Sequence, residues 1–332
     1  MQSQTSGHRR GATGRTSTHF RLVRYHAEVT PQEMVQVPRA YTPLTERDRQ
    51  ARVARTGGEP DLDFATGAAS PHSTPYVDYH SVDSLLGLQH PRTDEPAELS
   101  FYTIGQVQEL LFKLLFTEAN RIRDLLLDDR LDDALWYLRR MERSQRVLVA
   151  SWEPVSTITI AEFAAFRDEL GVASGIQSHM YRQLEFALGN KSPRMAAAYQ
   201  GIFPIWQQVE AALRAPSLYD AALTLLRRRG APIPDAHLKR DVALPYRPHP
   251  AVEAAWADVY RSPREQRDLY LFAEALSDVS QQYSTWRSAH LLTVERVLGS
   301  KPGTGGTMGV AWLRRAAEHR FFPELLSARS VL

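Results

Sequence analysis

The stretch Trp286-Arg287-Ser288-Ala289-His290, with the apolar run that follows it to Leu298 and the loop Gly299-Ser300-Lys301-Pro302-Gly303-Thr304-Gly305-Gly306-Thr307-Met308-Gly309, decides the reading of this chain. Tyr283, Trp286, His290, Val294 and Val297 step by three and four, the spacing of one face of an α-helix, so His290 sits on an apolar helical stripe. Gly299 is a natural helix stop. The glycines at 303, 305 and 306 let the backbone take positive φ or come close to a ligand. Read alone, these features are also those of a core histidine and an ordinary turn. The loop is not a phosphate-binding P-loop, because no Gly-Lys-Ser/Thr closes it and no strand pattern precedes it.

Composition narrows the class. The chain has 332 residues, 43% hydrophobic and 23% charged, the balance of a globular protein with room for a sizeable core. Forty basic residues against 38 acidic ones leave a formal charge of +2, which argues against a nucleic-acid partner. No apolar run approaches a membrane span and no secretory apolar segment is visible, so neither a membrane nor export is expected. The chain has no cysteine, which excludes disulfides, iron–sulfur and zinc-thiolate sites and a thiolate-ligated haem. It also agrees with a cytoplasmic location.

Residues 1–72 read as a flexible Arg/Ser/Thr/Gly-rich tail, with ten arginines against four acids (Glu28, Glu33, Glu46 and Asp48) up to Arg55. Residues 73–332 read as one folded domain. It opens with Tyr76, Tyr79 and His80, followed by a short amphipathic turn through Val82, Leu85, Leu86 and Gln89. Apolar residues at 107, 110, 111, 114, 115, 122, 125 and 126 predict a helix of about twenty residues. A second long helix is predicted over Leu131 to Trp152, and Thr159 is placed to cap a helix over Ile160 to Leu170. Two more are expected within Met195 to Arg229 and another over Ala251 to Leu276, with a Pro-rich loop between. Nothing reads as a strand.

Three blocks carry a family resemblance. The pattern from Trp286-Arg287 through His290 to the Gly303-Thr304-Gly305-Gly306 loop resembles the proximal-histidine and substrate-loop signature of the tryptophan 2,3-dioxygenase superfamily. Phe166-Arg167, Leu170, Ala173-Ser174-Gly175, Gln177-Ser178, Arg182 and Glu185 resemble a second signature of that family, and Phe101, Gln106, Glu109, Leu110 and Lys113 a third. The resemblance implies an all-α helical bundle enclosing a b-type haem, assembled as a homotetramer. It implies O₂ chemistry on L-tryptophan or a substituted tryptophan, opening the indole 2,3-bond. Mono-oxygenation of an aromatic amino acid, or a non-catalytic haem-binding or sensing role, are the alternatives.

Residue by residue, the resemblance makes His290 the axial iron ligand and sets Trp152, Ser174, Gly175 and Gly303 around the haem. Arg167 and Thr304 would anchor the amino-acid end of the substrate, and Phe101 would pack on its ring. Tyr76 and Tyr79 match a segment that reaches a neighbouring subunit's site. His80 stands where the family usually has leucine, and Phe163 where a tyrosine often lies. Gly105 occupies the place of the family's distal histidine, the departure that bears most on chemistry.

Overall fold

The computed structural model describes residues 44–299, 301, 303, 306 and 309–332. Among them there are helices and no strands. The sixteen α-helices are α1 (Glu46–Thr56), α2 (Pro75–His80), α3 (Val82–Leu86), α4 (Pro96–Leu127), α5 (Leu131–Ala150), α6 (Trp152–Ser156), α7 (Ile160–Phe166) and α8 (His179–Leu188). They continue with α9 (Pro193–Ala197), α10 (Ile205–Arg214), α11 (Leu218–Arg228), α12 (Asp235–Leu238), α13 (Pro250–Arg261), α14 (Arg267–Leu298), α15 (Val310–Glu318) and α16 (Pro323–Ala328). The chain divides into two compact units, Met1–Tyr79 and His80–Leu332.

In the first unit, α1 lies inside the stretch read from sequence as a tail. It has no buried residue, so it left no apolar period to detect. Local chemistry holds it instead. Thr45 and Asp48 form a reciprocal capping box, and Gly57 ends the helix in the left-handed conformation at φ 65°. Arg52 and Arg55 both pair with Asp61. Further on, Asp78 accepts from Ala69 N–H at 2.6 Å and from Ser73 Oγ at 2.7 Å, fastening the turn ahead of α2.

The second unit is built on two 32-residue helices, α4 and α14, packed on α5. Helix α4 buries Phe112, Leu115, Ala119, Ile122, Leu125 and Leu126, a stripe at helical spacing, as the sequence predicted. It is a dozen residues longer than its apolar stripe because Glu95 caps it, accepting from Ala97 N–H, and Pro96 starts it, well ahead of the buried run. Helix α14 buries Leu269, Phe272, Leu276, Val279, Tyr283, Trp286 and Val297 along one face. The expected helix over Ala251 to Leu276 is two helices, α13 and the start of α14, separated at Ser262–Gln266. The expected run from Ile160 to Leu170 tightens after Phe166 into a 3-10 turn, Arg167–Leu170, that ends at Gly171 with φ 55°.

Polar ties fasten the C-terminal segment. Glu324, buried in α16, accepts from Tyr219 Oη of α11 at 2.8 Å, Tyr246 Oη at 2.6 Å and His249 N–H at 3.0 Å. A buried carboxylate is stable only with its acceptor sites filled in this way. No helix among the described residues is long and apolar enough to cross a membrane.

Candidate active site

A cavity of about 510 Å³ opens among α4, α6, α7, α14 and α15, within the size range of cofactor and small-molecule sites. Its walls are chiefly apolar and aromatic. Phe101 and Gly105 come from α4, Trp152 from α6, Phe163 from α7, and Trp286 and His290 from α14. Ser174 and Gly175 contribute the loop before α8, and Gly303 and Gly309 the loop after α14. Eight of the residues singled out from the sequence, spread over two hundred positions, therefore share one wall.

The geometry at His290 follows from its helical register. Its ring stacks on Trp152, with centroids 4.4 Å apart and planes 7° from parallel, and Trp286 lies 5.9 Å away. Burial pushes its pKa from 6.5 down to about 4, so at neutral pH it is an uncharged imidazole. Uncharged imidazole is the form that ligates a metal. Among the described residues there is no cluster of three or more His, Asp or Glu that could hold a metal ion by itself. A single neutral histidine in an apolar, aromatic cavity fits a haem, whose iron His290 would hold.

On the α4 and α7 side, Phe101, Phe163 and Phe166 form an aromatic triangle. Phe101 lies 5.9 Å from Phe163 and 5.6 Å from Phe166, and the latter two meet edge-to-face at 5.1 Å. Such offset and edge contacts suit the ring quadrupoles and hold each face in one orientation. The Thr159–Glu162 capping box fixes the start of α7, so Phe163 enters the cavity at a set angle. Arg167 opens the 3-10 turn directly after this triangle. Phe163 before it and Leu170 after it line the cavity, whereas Arg167 is partly buried and not among the lining residues. Arg92 donates to the Glu169 carbonyl at 2.7 Å and pins that turn to the segment preceding α4.

The loop after α14 depends on two glycines. Gly299 stops the helix at φ 60°, its N–H still reaching the Glu295 carbonyl. At Gly309, φ is 55° and a Cβ would stand 2.7 Å from the Lys301 carbonyl oxygen, so only glycine closes the base of the loop there. Thr304, the proposed hydroxyl at the loop tip, lies outside the described residues, as do residues 1–43 of the expected tail.

Tyr76, Tyr79 and His80 all fall on α2, where Tyr76 is 67% and Tyr79 75% exposed. His80 is exposed too and is not among the residues lining the cavity. Sequence reasoning quoted Arg182, Glu185 and Arg287 only as parts of motifs, and the structure brings them together. Glu185 is buried and receives both guanidiniums, and Asn190 Nδ2 donates to it at 3.1 Å. Arg287 also donates to the His319 carbonyl at 3.3 Å and faces the cavity three residues before His290. Two cations on one carboxylate give this cluster a net positive charge, and of its three members Arg287 alone lines the cavity. The signal available in sequence was the i, i+3 pair Arg182/Glu185, whose partner on α14 no spacing rule identifies.

Comparison with known proteins places the chain in a family. The family model described as tryptophan 2,3-dioxygenase matches residues 60–207 and 206–332. A tryptophan 2,3-dioxygenase of Exiguobacterium sibiricum is 43% identical over 257 residues, covering 77% of this chain and 92% of the relative. Those of Bacillus cereus and Caulobacter vibrioides are 41% and 42% identical over the same share of this chain, covering 92% and 98% of their own lengths. A family match across most of the helical unit, joined to the shared cavity of Phe101, Trp152, Ser174 and His290, makes this chain a member of the tryptophan 2,3-dioxygenase family.

Proposed function

We propose that this protein is a haem-dependent oxygenase that opens the indole 2,3-bond of L-tryptophan, or of a substituted tryptophan, to an N-formylkynurenine-type product. The observation that carries the proposal is the uncharged His290, stacked on Trp152 at the wall of a 510 Å³ aromatic cavity, in a chain of this family. Bound there, haem b supplies the redox chemistry with O₂; the protein supplies ligation, orientation and exclusion of water. His290 holds the iron. Phe101, backed by Phe163 and Phe166, packs on the indole and orients it in the cavity, a gain in proximity rather than in acid–base chemistry. Arg167 receives the substrate carboxylate through a planar, two-pronged donor face, and Thr304 binds the same end of the molecule. Gly105 carries no group that can hold or move a proton, so the indole N–H has no imidazole partner at that position. Glu109, one turn later on α4, is the carboxylate on the cavity wall nearest to it in sequence. The active form is a homotetramer, to which Tyr76, Tyr79 and His80 contribute across a subunit boundary.

The test is mass spectrometry of product formed from reduced, haem-loaded protein, L-tryptophan and ¹⁸O₂. Two labelled oxygens in a ring-opened product support the reading. One labelled oxygen in an intact ring shows mono-oxygenation, and none shows a haem-binding protein without this chemistry.

A further inference from the structure

Gln108 is a buried amide in the apolar stripe of α4, one turn before Phe112, and it lines the cavity. A buried amide is stable only when bonded, and an apolar residue would meet the needs of packing there. Its bond goes to the start of α6. Gln108 Nε2 donates to Ser151 Oγ at 3.0 Å, and that hydroxyl donates to the Leu148 carbonyl at 2.6 Å. A serine hydroxyl has one proton. With that proton given to Leu148, the oxygen can only accept from Gln108, which fixes the orientation of the amide. Ser151, itself buried, is the single residue between α5 and α6. Trp152, the next residue, stacks on His290 at 4.4 Å and 7°. Trp286 meets both rings at 5.9 Å but is tilted by 37° and 39°, so the parallel face is that of Trp152. Trp152 Nε1 is buried without a hydrogen-bond partner among the described residues, so no such bond sets the plane of this indole. A metal-bound histidine ordinarily has its ring fixed by a hydrogen bond from the second nitrogen. Among the described residues no group hydrogen-bonds the His290 ring, and burial alone shifts its titration. The face of Trp152 holds that ring, and the joint at Ser151 holds Trp152.

We propose that Gln108 is a positioning residue for His290: through Ser151 it fixes the α5–α6 joint, and through the stacked Trp152 it fixes the rotation of the imidazole plane that meets the haem iron. This role rests on the function proposed above and extends it to a residue outside those that carry the family resemblance. Two parallel rings 4.4 Å apart in a close-packed interior cannot turn independently, because rotating either drives its edge into the face of the other. The tie also joins the helix that carries Phe101 to the residue before Trp152, so the α4 wall and the imidazole plane are set by one chain of contacts.

The experiment is resonance Raman spectroscopy of the reduced, haem-loaded protein, read at the iron–histidine stretching band, with haem content measured alongside. Gln108→Met keeps most of the bulk and removes the donor, and the Ser151 hydroxyl stays bonded to Leu148, so no buried donor is orphaned. Ser151→Ala removes the acceptor from the other side. Both variants should keep their haem and shift or broaden the band, because the ring is no longer held in one rotation. Trp152→Leu should shift it at least as far. Gln108→Met added to Trp152→Leu should then produce no further shift, the non-additivity expected of residues that act through one contact. A tie that only supports the fold would lower stability and leave the band in place. The positioning role is refuted if either haem-loaded single variant shows the wild-type band in position and width. It is also refuted if Gln108→Met shifts the band equally with and without Trp152. If wild type shows no iron–histidine band, or if His290→Ala retains it, the function proposed above fails instead, and this role with it.

Discussion

Replacing Glu185 tests how α14, the helix that carries His290, is held. This carboxylate is buried at 3% side-chain exposure and receives Arg182 from its own helix and Arg287 from α14. Both guanidiniums are equally enclosed, at 6% exposure. Glu185→Leu removes the one anion and leaves two cations in a region that water does not reach. Breaking a buried pair by deleting one partner typically costs about 3–5 kcal/mol, because the remaining charge is left uncompensated. Here two charges remain, so the upper part of that range applies. For a folded unit of this size, the loss corresponds to a drop of about 10 °C in melting temperature.

The damage should extend to the site, since Arg287 lies one turn before His290 and faces the cavity. The assay is calorimetric unfolding of wild type, Glu185→Leu, Arg287→Met and the double variant, with the haem content of each preparation. Charge imbalance predicts strong non-additivity, with the double variant more stable than the sum of the two single losses implies. A Glu185→Leu cost below about 1 kcal/mol, or simple additivity, would show that the cluster is not an electrostatic clamp.

Arg167→Leu should keep haem and fold but weaken L-tryptophan binding by about 2–5 kcal/mol, the loss expected for a charge-assisted contact in a partly dry site. Indole, which has no carboxylate, should bind as before, and equal losses for both would show that Arg167 acts through the fold. His319 is held uncharged because burial, helped by nearby Arg287, pushes its pKa from 6.5 down to about 4. The unfolded chain takes up that proton first, so stability is retained above pH 6.5 and declines as pH falls from there towards 4. His319→Gln should flatten that decline in denaturant unfolding measured across the window, and an unchanged slope would remove His319 as its source.

The helical class and the long elements were legible because α4, α5 and α14 bury apolar stripes at regular spacing. Helix α1 was not, because capping and ion pairs hold it and no apolar face marks it. The break between α13 and α14 was marked by Ser262-Pro263, a helix breaker passed over because apolar helical spacing resumes on both sides of it. At the site, the sequence motifs brought His290, Trp152, Phe101, Phe163 and Gly105 into one reading, and the cavity joins them. The Glu185 clamp needs a contact between residues 102 positions apart, which no local pattern encodes.

Whether His290 holds a haem iron in this cavity is read most directly from the haem content and absorption spectrum of His290→Ala. With His290 as the ligand, the variant should fold, purify with little haem and recover a histidine-like spectrum only when imidazole is added. A variant that retains full haem with an unaltered five-coordinate histidine spectrum would contradict it.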